Sequence, residues 1–131
     1  MLRGSLVCIV DDDDSVRESL RSLFASTGLT TLTFSSAEQF LASDRLAEVG
    51  CLVLDVRMPG ITGPELQREL RARQAGIPLV FITATSDSVT REQALRDGAL
   101  EYLTKPFDED RLLDIVRTAL ESVTPNEPIA P

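Results

Sequence analysis

The sequence predicts an α/β fold: a doubly wound, five-stranded parallel sheet with five helices on its two faces. Three observations predict it. Short apolar runs alternate strictly with helical stretches along the chain. Three of the runs are continuously apolar, as in strands buried on both faces. The segments between runs are long enough for right-handed crossovers. At 131 residues the chain suits a single domain with its own core.

Leu6-Val7-Cys8-Ile9-Val10 is the first buried run. Asp13 or Asp14 caps the next helix, in which Val16, Leu20, Leu23 and Phe24 share a face, and Gly28 stops it. Thr30 to Phe34 alternates and is rich in β-branched residues, which predicts the second strand. Ser36-Ala37-Glu38-Gln39 reads as a capping box opening a short helix through Phe40 and Leu41. Cys51-Leu52-Val53-Leu54 is the third strand and ends at Asp55. The turn Pro59-Gly60-Ile61-Thr62-Gly63 follows, and Pro64 suits the first position of a helix carrying Leu66 and Leu70 and ending at Gly76. Leu79-Val80-Phe81-Ile82 is the fourth strand, ending at Thr83. Residues 88–97 form a helix with a thin apolar face, mainly Val89, Ala94 and Leu95, stopped by Gly98. Leu100 to Leu103 is the short fifth strand. The last helix opens with Asp108, Glu109 and Asp110 at its positive end and turns Leu112, Leu113, Val116, Ala119 and Leu120 to one side.

Composition excludes several functions. The chain has no histidine, which removes Ser-His-Asp and Cys-His catalysis, histidine zinc sites and a histidine relay within the chain. The net charge is −8, a poor match for a nucleic-acid backbone. No run of about 18 apolar residues spans a membrane. Met1-Leu2-Arg3-Gly4 leads into the first strand without a secretory signal, so a cytoplasmic protein is expected. Cys8 and Cys51 lie in separate apolar runs and read as buried thiols rather than a disulfide or metal pair. The division expected is a folded domain over 1–122 and a proline-containing tail or linker over 123–131.

In an open α/β sheet the site lies beyond the carboxyl ends of the strands. Strand 1 ends in Asp11 and Asp12, strand 3 in Asp55 and strand 4 in Thr83, while strand 5 ends two residues before Lys105. Lys105 is the single lysine among 13 basic residues, and the other 12 are arginine. Lys is a compact point charge, whereas Arg is a planar fork. Taken singly, the acids read better as solvated loops, helix caps or turn residues and Thr83 as a strand end, and Lys105 can be an ordinary surface lysine. Their coincidence on four strand ends is what points to a site. If strands 1 and 3 are neighbours, roughly 5 Å apart, the three carboxylates repel unless protonated or neutralised. A hard divalent cation such as Mg²⁺ relieves that repulsion and keeps positions open for phosphate oxygens. With Lys105 and Thr83 beside it, such an acidic cup suits phosphoryl chemistry, in which a carboxylate can be the nucleophile.

The runs Ile9-Val10-Asp11-Asp12-Asp13, Leu54-Asp55-Val56-Arg57-Met58-Pro59-Gly60, Ile82-Thr83-Ala84 and Lys105-Pro106-Phe107 together resemble the receiver domain of two-component response regulators, over residues 5–121. Val16-Arg17-Glu18-Ser19-Leu20 and the Asp-Val-Arg-Met-Pro-Gly stretch are similar to the FixJ-type subgroup. The resemblance implies strand order 2-1-3-4-5, a flavodoxin-like or CheY-like arrangement, and a cis bond between Lys105 and Pro106. It implies Asp55 as phosphoacceptor, Asp12 as direct Mg²⁺ ligand and Asp11 as the acid holding the metal mostly through water. Mn²⁺ can substitute. It makes the backbone carbonyl of Arg57 the third protein ligand, Lys105 the partner of the phosphoryl group, and Thr83 and Tyr102 the switch pair. On that pattern Tyr102 turns inward when Thr83 moves to the phosphoryl group. Arg57 and Thr85 occupy positions that vary within the family. The implied partners are a sensor histidine kinase and a second copy, in a phosphorylation-promoted dimer through the surface of the fourth helix, fifth strand and fifth helix.

The expected function is therefore a signalling switch with self-directed phosphotransfer and autodephosphorylation, not a turnover enzyme. Its output is expected to be transcription through a DNA-binding domain not present in this chain, or protein contacts of a stand-alone receiver. Two other classes compete. A Mg²⁺-dependent small-molecule phosphohydrolase of the haloacid-dehalogenase type wants an acid two residues after the nucleophile, where this chain has Arg57. A flavodoxin-like cofactor binder wants a Gly/Ser/Thr phosphate cradle after strand 1, where this chain has Asp11 to Asp14.

Overall fold

The computed structural model describes residues 5–84 and 87–122. The expected tail, the Met1 to Gly4 segment and Thr85 lie outside them. The chain runs β1 (Leu6–Val10), α1 (Asp14–Ala25), β2 (Thr31–Phe34), α2 (Ala37–Leu41), a 3-10 turn (Leu46–Glu48), β3 (Val49–Leu54), α3 (Gly63–Ala72), β4 (Leu79–Thr83), α4 (Ser88–Arg96), β5 (Glu101–Thr104) and α5 (Glu109–Ser122). The sheet order is β2-β1-β3-β4-β5, and every pairing is parallel. The chain leaves β1 toward β2 on one side and returns to β3 on the other, so the switch point falls between β1 and β3.

Strand alternation sorts the core into two layers. Cys8, Val10, Leu52, Leu54, Phe81 and Tyr102 face α2, α3 and α4. Val7, Ile9, Cys51, Val53, Val80 and Ile82 face α1 and α5. Cys8 and Cys51 thus lie on opposite faces, both buried and free. Burial pushes both thiols up to about 12, which keeps them protonated and inert.

The caps refine the sequence reading. Asp13, not Asp14, caps α1, accepting from Ser15 and Val16 backbone N–H groups. Ser36 caps α2, but Gln39 accepts from Ser35, so the expected box does not close on Ser36. A reciprocal box closes at α3 instead, between Thr62 and Glu65. That helix ends at Ala72, ahead of Gly76, where Gln74 turns the chain in a left-handed conformation with φ 55°. The fifth strand lies one residue later than expected: it pairs Val80 with Glu101, ends at Thr104 directly before Lys105, and leaves Leu100 44% exposed.

α4 is held almost wholly at its C-terminal end. Ala94 is its single buried residue, while Val89, expected on the apolar face, is 74% exposed. Gln67 and Arg71, one turn apart on α3, grip that end. Gln67 Nε2 donates to the Ala94 carbonyl at 3.0 Å, and Arg71 pairs with Asp97 at 3.0 Å.

Candidate functional site

The carboxyl ends of β1, β3 and β4 and the residue after β5 meet in one cavity of about 390 Å³. It is lined by Asp11, Asp12, Asp13, Asp55, Arg57, Thr83, Ala84 and Lys105. The sheet brings them together by register. Asp55 N donates to the Val10 carbonyl at 3.0 Å, setting the end of β3 beside that of β1. Lys105 N donates to the Thr83 carbonyl at 2.8 Å, setting the lysine beside the end of β4. The Lys105–Pro106 bond is cis, as the resemblance implies.

Asp11, Asp12 and Asp55 each present a carboxylate oxygen within 4.8 Å of the others. Asp11 is buried, Asp55 half-buried and Asp12 exposed, so the cluster opens to solvent on the Asp12 side. Asp11 Oδ1 accepts from Asp13 N at 2.9 Å, and Oδ2 lies 4.0 Å from Lys105 Nζ. Burial, then the Asp11 charge, raises Asp55 from 3.8 to about 6. Burial also raises Asp11, against the Asp13 amide and the Lys105 charge. Burial leads both shifts, so the fold holds these two carboxylates where their charged form is disfavoured. The donor set is all oxygen, which suits a hard divalent cation rather than a soft one. Asp13 behaves differently. The Ser15 hydroxyl and the first amides of α1 hold its carboxyl below the usual range, which fits a cap.

All the predicted site residues gather here except Tyr102, which lies two strand positions deeper, level with Phe81 rather than Thr83. Tyr102 is 4% exposed and packs on Phe81, its register partner, with ring centroids 6.0 Å apart. In this arrangement the ring already lies inward. The residue two after Asp55 is the exposed Arg57, not an acid. A second, open cavity of about 510 Å³ adjoins the site beyond Arg57. It is lined by Val56, Met58, Pro59, Thr62, Pro64 and Thr90 and offers no carboxylate.

Three contributors are not legible in the sequence. Gly63 begins α3 against the acceptor: an added Cβ would overlap the Asp55 carbonyl and stand 2.9 Å from the Phe81 ring. Glu38 on α2 accepts from Ile61 N at 3.2 Å and so clips the loop that follows Asp55. Arg17 folds back from α1 onto the Asp11 carbonyl at 2.6 Å. The only sequence signals were an ordinary turn glycine and two surface-type charges.

A 2-1-3-4-5 parallel sheet with an acidic triad at its switch point and a threonine and lysine beside it defines a CheY-like α/β signalling domain. The chain belongs to the response regulator receiver domain family, whose model matches residues 7–117. Over 116 residues it is 43% identical to the C4-dicarboxylate transport transcriptional regulatory protein DctR of Rhodobacter capsulatus, covering 87% of this chain and 59% of that one. It is 43% identical over 114 residues to the transcriptional regulatory protein FixJ of Azorhizobium caulinodans, covering 87% and 54%. Among solved structures it is similar to the response regulator StyR, with 49% identity and a TM-score of 0.84 over 90% of this chain and 60% of that chain. It is a FixJ-like receiver, and it spans between half and three-fifths of the length of these relatives.

Proposed function

We propose that this chain is the phosphorylation switch of a transcriptional response regulator. The observation that carries the reading is the three carboxylate oxygens within 4.8 Å of one another, with Lys105 and Thr83 on the same cavity wall. Asp55 is the acceptor. One of its oxygens attacks the phosphorus of a phosphohistidine on a sensor kinase. A P–O bond forms, the P–N bond breaks, and the imidazole leaves and takes up a proton. Water later attacks the same phosphorus, restoring the carboxylate and releasing inorganic phosphate. Asp11, Asp12, Asp55 and the Arg57 carbonyl would hold Mg²⁺, which when bound neutralises charge on the phosphoryl oxygens. The Lys105 ammonium and the Thr83 hydroxyl meet those oxygens directly.

The domain modifies itself and turns over no metabolite. Residues 1–122 form the receiver, and 123–131 lead toward an output module in the whole protein. The relatives' names and the coverage of their length support transcription as that output, in the cytoplasm. Among the described residues no helix is long and apolar enough to cross a membrane. The chain's net charge of −8 argues against nucleic-acid contact by this part. Because Tyr102 already lies inward, phosphorylation holds that arrangement rather than creating it. Thr83, drawn to the phosphoryl group, locks the β4–β5 edge, and the weakly anchored N-terminal half of α4 follows. The α4-β5-α5 surface then pairs with a second copy.

Sedimentation of the 131-residue chain with and without beryllofluoride and Mg²⁺ tests the switch. The weight-average mass should rise toward dimer only with both present. Thr83→Ala should retain acceptor chemistry yet lose most of that rise. An unchanged mass across a concentration series, or full dimerisation of Thr83→Ala, would overturn the reading of the output.

A further inference from the structure

Arg17 lies one turn into α1, a position from which a helix arginine ordinarily extends into solvent. Its side chain is only 17% exposed, against 48% for Arg21 one turn later. The guanidinium folds back over the start of the helix. Nη1 donates to the Asp11 carbonyl at 2.6 Å, and Nη2 pairs with the Asp14 carboxylate. Asp11 is consequently held at every polar atom. Its N donates to the Phe34 carbonyl at 3.2 Å, its carbonyl takes Arg17, Oδ1 takes the Asp13 amide, and Oδ2 faces Lys105.

The carbonyl that Arg17 holds belongs to the Asp11–Asp12 peptide. The orientation of that peptide plane sets the direction in which Asp12 leaves the chain. Asp12 is the exposed member of the acidic triad, and among the described residues no hydrogen bond reaches its carboxylate, so its backbone is what aims it. We propose that Arg17 is a positioning residue for the divalent cation: it locks the Asp11–Asp12 peptide plane so that Asp12 presents its carboxylate beside Asp11 and Asp55. The proposal rests on the reading of that triad as the Mg²⁺ site. Arginine suits the task because its planar fork reaches two acceptors in a fixed geometry, whereas an ammonium is a single flexible point.

Two effects of Arg17 on the cation oppose each other. Its charge repels a cation, so removing it would tighten binding. Its clamp orders the ligands, so removing it would loosen binding. The clamp is placed to win, because the guanidinium is spent on the Asp14 carboxylate and the Asp11 carbonyl, which screen its charge from the cavity. Loss of an outer-shell partner typically weakens a metal site by about 10- to 100-fold.

The test is thermal unfolding of the 131-residue chain over a MgCl₂ series, read as the Mg²⁺ concentration giving half of the full rise in melting temperature. Arg17→Met should move that concentration up by about tenfold, and Arg17→Lys should lie nearer the parent. A merely structural arginine would lower the metal-free melting temperature and leave the half-saturation point in place, which overturns the proposal. A lower half-saturation point in Arg17→Met means charge repulsion dominates and also overturns it. If Arg17→Met does not fold, Arg17→Lys decides: a several-fold weaker response supports the clamp, and a parental response rejects it. Asp12→Asn separates this from failure of the site itself. A response equal to the parent's in Asp12→Asn overturns the triad as the Mg²⁺ site, and the role of Arg17 with it.

Discussion

The Tyr102 ring packs on Phe81 with centroids 6.0 Å apart and is almost fully buried, two strand positions below Thr83. Tyr102 is the only tyrosine in a chain without tryptophan, so its absorbance reports one residue. Burial, then the Asp87 charge, raises its phenol above 10.0. An alkaline absorbance titration should therefore give a midpoint above that of a free tyrosine, provided the fold persists. It should be little changed by beryllofluoride with Mg²⁺. A midpoint at the free value, rising only with beryllofluoride, would mean that the ring starts outside and turns in.

Asp55 makes the metal-free fold sensitive to pH in a defined direction. Its value is about 6 in the fold against 3.8 for the ordinary group. The native state therefore keeps a proton that the unfolded chain has released. The stability linked to this group is full below 3.8, falls as pH rises toward about 6, and stays low above that. The shift corresponds nominally to about 3 kcal/mol. Asp55 is half-buried, so solvent screening reduces this to roughly 1–2 kcal/mol. Asp55→Asn removes the penalty. Without metal it should melt on the order of 4 °C above the parent near pH 8, and the gap should close near pH 4. A gap independent of pH would place the origin elsewhere.

Gly63 is required by space rather than by backbone angle. An added Cβ would meet the Asp55 carbonyl, the Phe81 ring at 2.9 Å and the Val56 Cα at 3.0 Å, and two of these are backbone that cannot swing aside. Gly63→Ala should cost about 2–3 kcal/mol in denaturant unfolding and displace the acceptor strand end. Gly28 has φ +83° and open space around it, so Gly28→Ala should cost only about 1 kcal/mol. Equal losses would show that the contact with Asp55 is relieved by movement of α3.

The fold was largely legible because its signals are local. Continuous apolar runs mark buried strands, and the acids that follow Val10 and Leu54 mark their carboxyl ends. What was missed lies in contacts between residues far apart in sequence. Glu38 meets Ile61 across 23 positions, and Gln67 meets Ala94 across 27, and neither pair leaves a periodic trace. Val89 misled for a related reason. Helical spacing gives α4 an apolar face, but α4 buries only Ala94 in its last turn, and Val89 in its first turn is exposed. Tyr102 lies on the expected strand, and its ring packs on an aromatic partner on β4, a contact that no motif records.

The central claim is that Asp55 takes a phosphoryl group with a divalent cation held by its neighbours. Acetyl phosphate supplies the group without a kinase, and intact-mass spectrometry reads the product. With Mg²⁺ the chain should gain one phosphoryl group, absent in excess chelator and absent in Asp55→Asn. Labelling that persists in Asp55→Asn, or that proceeds in chelator, would contradict it.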